Sequence, residues 1–225
     1  MRTFNIHNIT ISNNQPFILI AGPCQIESQD HAEETAGRIK EITDSLNVGL
    51  VYKSSFDKAN RSSINTKRGV GIDEGLKILD SIKHLLGIPI LTDIHESYQA
   101  QICADAGIDI LQIPAFLCRQ TDLLVAAGET GCAINIKKGQ FLAPHDMKNV
   151  AEKIASTGNE RIMLCEEDIL MDTIILWSIC VVYLLWHVLV IPLSLTLHIL
   201  FRLLEDLETS LAETAKWSPT WRGLL

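Results

Sequence analysis

Between Phe17 and Cys165 the chain repeats one unit, a short β-branched run followed by an amphipathic stretch, and this repetition narrows the choice of fold more than any other feature. The runs FILIAGPC, LVYKSSF, PILTDIH, ILQIPAF, AINIKKG and IMLCE are almost continuously apolar. Strands of that kind are covered on both faces, as in a parallel sheet flanked by helices. The segments between them carry helical spacing. In GIDEGLKILDSIKHLLG, Leu76, Leu79, Ile82 and Leu86 form one stripe, and Gly87 falls where a C-cap belongs. About six strand–helix units are readable, and the leading FNIHNITISNNQPF has the pattern of a small hairpin closing one end.

An open doubly wound sheet collects its functional groups in one crevice, whereas a barrel projects them from the C-terminal ends of many strands. Here Cys24, Lys53, Asp93, Gln112 and Lys137 interrupt the apolar runs at successive strand ends. Convergence from that many strands favours the barrel. The predicted fold is an α/β TIM (β/α)8 barrel with a short N-terminal β-hairpin, incomplete at about six units and confined to residues 1–166.

A length of 225 residues, 47% of them apolar, suits one domain. The net charge of −8 and pI near 5.3 exclude a nucleic-acid partner, so any anionic ligand must be held by local cations. The segment MRTFNIHNIT contains no apolar signal region, which predicts a cytoplasmic protein. Six cysteines without a CxxC pair then read as reduced thiols.

Past Glu166 the composition changes abruptly. No Asp, Glu, Lys or Arg occurs between Thr173 and Phe201, a length sufficient for a transmembrane helix, which needs roughly 20 apolar residues. Against a genuine membrane anchor stand Pro192, His187 and His198 inside the run and an acidic flank at Glu205 and Glu208.

The densest polar cluster, Lys53-Ser54-Ser55-Phe56-Asp57-Lys58-Ala59-Asn60-Arg61-Ser62-Ser63, follows a strand directly. Its cations, amide and hydroxyls are the groups phosphate recognition requires, although an ordinary solvated basic loop has the same composition. Asp93 precedes His95 and Glu96, and either orients a substrate hydroxyl, accepts a proton or holds a metal, or serves as a helix N-cap or salt-bridge partner. Lys137 and Lys138 end another strand. Cys24 is either a small core hydrophobe or a ligand for Zn²⁺ or Fe²⁺, which would need His and carboxylate partners from other strands.

Taken together, AGPCQIES, YKSSFDKANRSS, RGVGIDEGLKIL, TDIHE, DILQIPAFLCRQTDLL and INIKKGQF resemble the 3-deoxy-D-manno-octulosonate 8-phosphate synthases from about Ile18 to Glu166. The most specific piece is Lys58-Ala59-Asn60-Arg61-Ser62-Ser63, where the related seven-carbon synthases carry a Pro-Arg-Thr-Ser-like segment. The resemblance implies a homotetrameric TIM-barrel transferase that condenses phosphoenolpyruvate with arabinose 5-phosphate, a step toward lipopolysaccharide. It implies Lys53, Lys58 and Lys137 around phosphoenolpyruvate, Asn60, Arg61 and Ser62 around the sugar phosphate, and Ser55, Gln112, Pro114, Ala115 and Phe116 lining the pocket. It assigns Lys58, Asn60 and Asp93 to the reacting centre. Cys24 stands where the metal-independent class has Asn, which implies the class that uses a divalent Zn, Fe or Mn ion, with further His, Glu and Asp ligands from the last strands. The other functions to weigh are a 3-deoxy-7-phosphoheptulonate synthase and a non-catalytic, membrane-anchored remnant.

The family pattern stops at Cys165-Glu166, where Arg-Gly and later a THSVQ segment are expected. Codons that spell FDATHSVQT can be read one nucleotide later as residues 195–203 of this chain, Leu195 to Leu203. The same displacement recovers family-like segments beneath residues 168–190 and 204–225. The expectation is that residues 167–225 are out-of-frame translation after loss of one nucleotide beyond the Glu166 codon. Such a chain would lack most of the metal ligands, expose strand edges and turn over poorly.

Overall fold

The computed structural model describes residues 3–166 and 193–194. Two three-residue strands, β1 (Phe4–Ile6) and β2 (Ile9–Ile11), pair antiparallel as the expected hairpin. His7 sits in its turn at φ 51, a left-handed conformation that a two-residue hairpin connection demands.

The repeat then unfolds as the periodicity requires. Strand β3 (Ile18–Ala21) leads to α1 (Gln29–Ser45), β4 (Gly49–Lys53) to α2 (Ile72–Leu86), and β5 (Ile90–Asp93) to α3 (Ser97–Asp105). Strand β6 (Ile110–Ile113) leads to α4 (Thr121–Glu129), β7 (Ala133–Lys137) to α5 (Met147–Ala155), and β8 (Ile162–Cys165) follows. All six pair in parallel with their sequence neighbours. A two-residue strand, β9 (Leu193–Ser194), lies parallel to β8 and extends the sheet one position beyond the six units legible in the sequence. The result is an incomplete TIM-like α/β barrel. The out-of-frame reading falls on residues 167–225, which, apart from β9, lie outside the described residues.

Helix ends follow local chemistry. The Ser28 side chain accepts the His31 backbone N–H at the start of α1, while Gly87 closes α2 at φ 63, a conformation in which any Cβ is strained. The α2 stripe is the one expected: Leu76, Leu79 and Ile82 are buried, joined by Gly75 and Ile78. Gly75 is fixed by packing, since a Cβ there would lie 2.4 Å from Phe56 Cβ.

Two apolar layers separate by strand parity. Leu50 and Tyr52, Ile90, Leu111 and Ile113, Ile134 and Ile136, and Ile162 and Leu164 face the helices in the main core. Ile20, Val51, Leu91, Ile110, Ala133 and Met163 point the other way and pack against Ile6 and Ile11 of the hairpin. The hairpin therefore plugs the N-terminal end of the barrel interior. One pleat further along each strand, the same inward parity delivers Lys53, Asp93, Gln112, Asn135 and Cys165.

Candidate active site at the C-terminal mouth

At the centre, Lys53 Nζ lies 3.2 Å from Asp93 Oδ2, with side chains only 4% and 13% exposed. Gln112 Nε2 donates to the other Asp93 oxygen, Oδ1. Asn135 Nδ2 in turn donates to Gln112 Oε1 at 2.9 Å. Burial by itself pushes the Asp93 pKa up; Lys53, the Gln112 hydrogen bond, Lys137 and His95 outweigh it and hold the carboxyl at about 2. Asp93 is thus a buried, ionised acceptor. Of the alternatives open for it, the N-cap is excluded, because Glu96 caps α3 in a reciprocal box with Gln99, and the salt-bridge partner is realised.

The loop after β4 divides into a buried base and an exposed tip. Lys53, Ser54, Ser55 and Phe56 are buried, Asp57, Lys58 and Arg61 are half-buried, and Asn60 and Ser62 are exposed. A wholly solvated loop is inconsistent with that base. Ser54 Oγ donates to Pro23 O at 3.0 Å, and Ser55 O accepts from Ile26 N at 2.9 Å, tying the loop to the segment that carries Cys24. The tip is clamped at its root. Lys58 N donates to Arg68 O, Gly71 N donates to Phe56 O, and Arg68 holds Asp57 through two hydrogen bonds of 2.8 and 2.5 Å. Arg61 Nη2 donates to Gln25 Oε1 at 2.5 Å and Nε to Lys67 O at 3.2 Å, so the guanidinium is oriented over the β3–α1 connection.

Gly22 makes these approaches possible. Its φ is 156, and an added Cβ would lie 1.9 Å from Lys53 O. No L side chain fits between the ends of β3 and β4.

On the opposite side, Lys137 is buried at the end of β7. Its neighbour Lys138 lies 2.9 Å from Glu166 Oε1 and donates to Gly139 O and Leu142 O, which makes it a bracket for the loop after β7. Pro114 and Ala115 lead into a single 3₁₀ turn (Ala115–Leu117), with Ala115 buried and Phe116 66% exposed. The geometry brings Lys53, Asp93 and Gln112 into direct contact. Asn60, Ser62 and Phe116 stay on the outer rim.

His95 is more central than its spacing suggested. Its ring meets Phe56 edge to face at 6.2 Å, and burial lowers its pKa against the attraction of Asp93 and Asp57, favouring neutral imidazole. Asn135 was missed because it lies inside an apolar run; its inward parity, two residues before Lys137, was the available signal.

Cys24 is half-buried at the mouth, between core thiol and exposed ligand. Among the described residues no group of three His, Cys, Asp or Glu side chains is arranged to hold a metal ion. These residues do not by themselves make a metal centre. Among them, too, no helix is long and apolar enough to cross a membrane.

The model of the DAHP synthetase I family matches residues 3–171, spanning the hairpin and every parallel strand through β8. The chain belongs to the DAHP synthetase I family. Within it, the chain is similar to the 2-dehydro-3-deoxyphosphooctonate aldolase of Bartonella henselae, with 62% identity over 161 residues, covering 72% of this chain and 57% of that protein. Likeness to the proteins of the same name from Bartonella quintana and Brucella ovis is 59% over 163 residues and 55% over 167 residues. These alignments cover 72% and 74% of this chain and 58% and 60% of those proteins. The chain therefore spans somewhat under two thirds of the length of these family members.

Proposed function

We propose that residues 1–166 are the substrate-gathering part of a 3-deoxy-D-manno-octulosonate 8-phosphate synthase, a transferase joining phosphoenolpyruvate to arabinose 5-phosphate. The observation that carries the reading is the buried Lys53–Asp93 pair, bonded to Gln112 at the mouth of a DAHP synthetase I barrel. The name shared by the curated relatives, 2-dehydro-3-deoxyphosphooctonate aldolase, supports the eight-carbon product over the seven-carbon one.

In this reading Lys53, Lys58 and Lys137 balance the phosphate and carboxylate of phosphoenolpyruvate, while Asn60, Arg61 and Ser62 on the loop tip take the sugar phosphate. Ser55, Gln112, Pro114, Ala115 and Phe116 shape the walls. C3 of phosphoenolpyruvate attacks the aldehyde, water adds at C2, and phosphate departs with C–O cleavage. Holding both anions in register turns a bimolecular encounter into a positioned one, which is where most of the acceleration arises. Held ionised by Lys53 and Lys137, Asp93 serves as a hydrogen-bond acceptor that orients a substrate hydroxyl or the water that adds at C2. A divalent metal would draw on Cys24 and on ligands beyond the described residues. The assembly to look for is a homotetramer.

The test is calorimetric titration of phosphoenolpyruvate into the full chain, followed by turnover with arabinose 5-phosphate or erythrose 4-phosphate. The reading expects phosphoenolpyruvate binding that Lys53→Met weakens at least tenfold, and slow turnover favouring arabinose 5-phosphate. Absence of binding, or preference for erythrose 4-phosphate, refutes it.

A further inference from the structure

Asp93, Gln112 and Asn135 are direct neighbours across three strands: Asp93 pairs with Gln112 in the β5–β6 ladder, and Gln112 with Asn135 in the β6–β7 ladder. All three point into the barrel one pleat beyond Leu91, Ile110 and Ala133, where apolar residues fill the interior. Asn135 is fully buried and Gln112 nearly so. Buried amides are costly unless bonded, so the rung persists through its hydrogen bonds.

The rung also has a direction. An ionised carboxylate only accepts, so Gln112 must present its NH₂ group to Asp93. Its carbonyl oxygen then faces β7 and needs a donor. Asn135 Nδ2 supplies one at 2.9 Å. Were residue 135 apolar, the Gln112 oxygen would lose that donor, and a turned amide would set its carbonyl against Asp93, an arrangement that suits only the protonated acid.

We infer that Asn135 is a positioning residue: by fixing the orientation of the Gln112 amide, it keeps Asp93 in its acceptor form at the floor of the site. The consequence for turnover rests on the function proposed above; the relay itself does not. The other groups acting on Asp93 are Lys53, Lys137 and His95; a substitution at residue 135 changes none of these side chains.

The experiment follows the Asp93 carboxyl by ¹³C NMR as a function of pH in the full chain, in Asn135→Leu and in Asn135→Ser. Loss of the donor in Asn135→Leu should raise the midpoint by at least one pH unit, a tenfold gain in proton affinity. Asn135→Ser, which keeps a donor, should recover most of the native midpoint. An unchanged midpoint in folded Asn135→Leu overturns the inference. If that variant does not fold, Asn135→Ala is compared in the native and Gln112→Leu backgrounds. The relay requires its effect on Asp93 to vanish when Gln112 is gone, and equal shifts in both backgrounds overturn it. Because the titration uses no substrate, an intact relay with no turnover would count against the proposed function alone.

Discussion

Replacing Lys53 by Met removes the cation 3.2 Å from Asp93 while preserving the stem. At an effective dielectric of about 20 the lost attraction is about 5 kcal/mol, in line with the roughly 3–5 kcal/mol cost of orphaning one member of a buried pair. Protonation sets a ceiling on that cost. With an ordinary value of 3.8 for the carboxyl, neutralising Asp93 at pH 7 takes about 4 kcal/mol, at about 1.4 kcal/mol per pH unit. The variant should therefore be destabilised by about 3–4 kcal/mol at pH 7; the part that comes from neutralising Asp93 should shrink toward nothing near pH 4, leaving only what the native pair itself contributes. The signs are opposite in the two proteins. In the native chain the Asp93 pKa is depressed, so its contribution is full above 3.8 and is lost as pH falls toward 2. In Lys53→Met burial wins and the pKa rises above 3.8, so stability is lost as pH increases through the new value. Urea denaturation from pH 2 to 8 reads both. Lys53→Met/Asp93→Leu, with neither charge, should recover most of the loss. A loss independent of pH, or an unchanged midpoint at pH 7, would falsify the assignment of Asp93 as a carboxylate held ionised by Lys53.

Gly22→Ala drives a Cβ to 1.9 Å from the Lys53 carbonyl; it should cost about 3 kcal/mol or more and weaken phosphoenolpyruvate binding in the same titration, and wild-type values for both would contradict the close approach. Leu79→Ala, at a fully buried position of the α2 stripe, should cost about 2–5 kcal/mol in urea without altering the Asp93 titration, since the site lies on the other face of the sheet. A gene with one nucleotide added after the Glu166 codon should yield a chain that retains Zn²⁺ or Fe²⁺ through dialysis and turns over far faster than the 225-residue chain. Equal metal content and equal rates would remove the out-of-frame reading of residues 167–225.

The hairpin, the six parallel strands and their helices are legible in the sequence because each rests on local chemistry. Apolar runs bounded by Gly or Pro, a 3.6-residue stripe over Leu76, Leu79 and Ile82, and Gly87 at a helix end are properties of neighbours in the chain. Cys24, Lys53, Asp93, Gln112 and Lys137 stood out for the same reason, as polar interruptions at strand ends. Asn135 and His95 did not: one is hidden within an apolar strand, and the other owes its significance to Phe56 and Asp57, far away in sequence.

What the sequence determined by itself was the alternation that sends Val51 and Lys53, Leu91 and Asp93, and Ile110 and Gln112 into one interior. Strand parity fixes a side chain's face without reference to any other strand. Only the tertiary structure decided that Lys53 meets Asp93 rather than solvent, that Gln112 bridges Asp93 to Asn135, and that Gly22 cannot carry a side chain. Those contacts depend on register between strands whose paired residues lie 19 to 40 positions apart in the chain, and register is set by how the whole sheet packs.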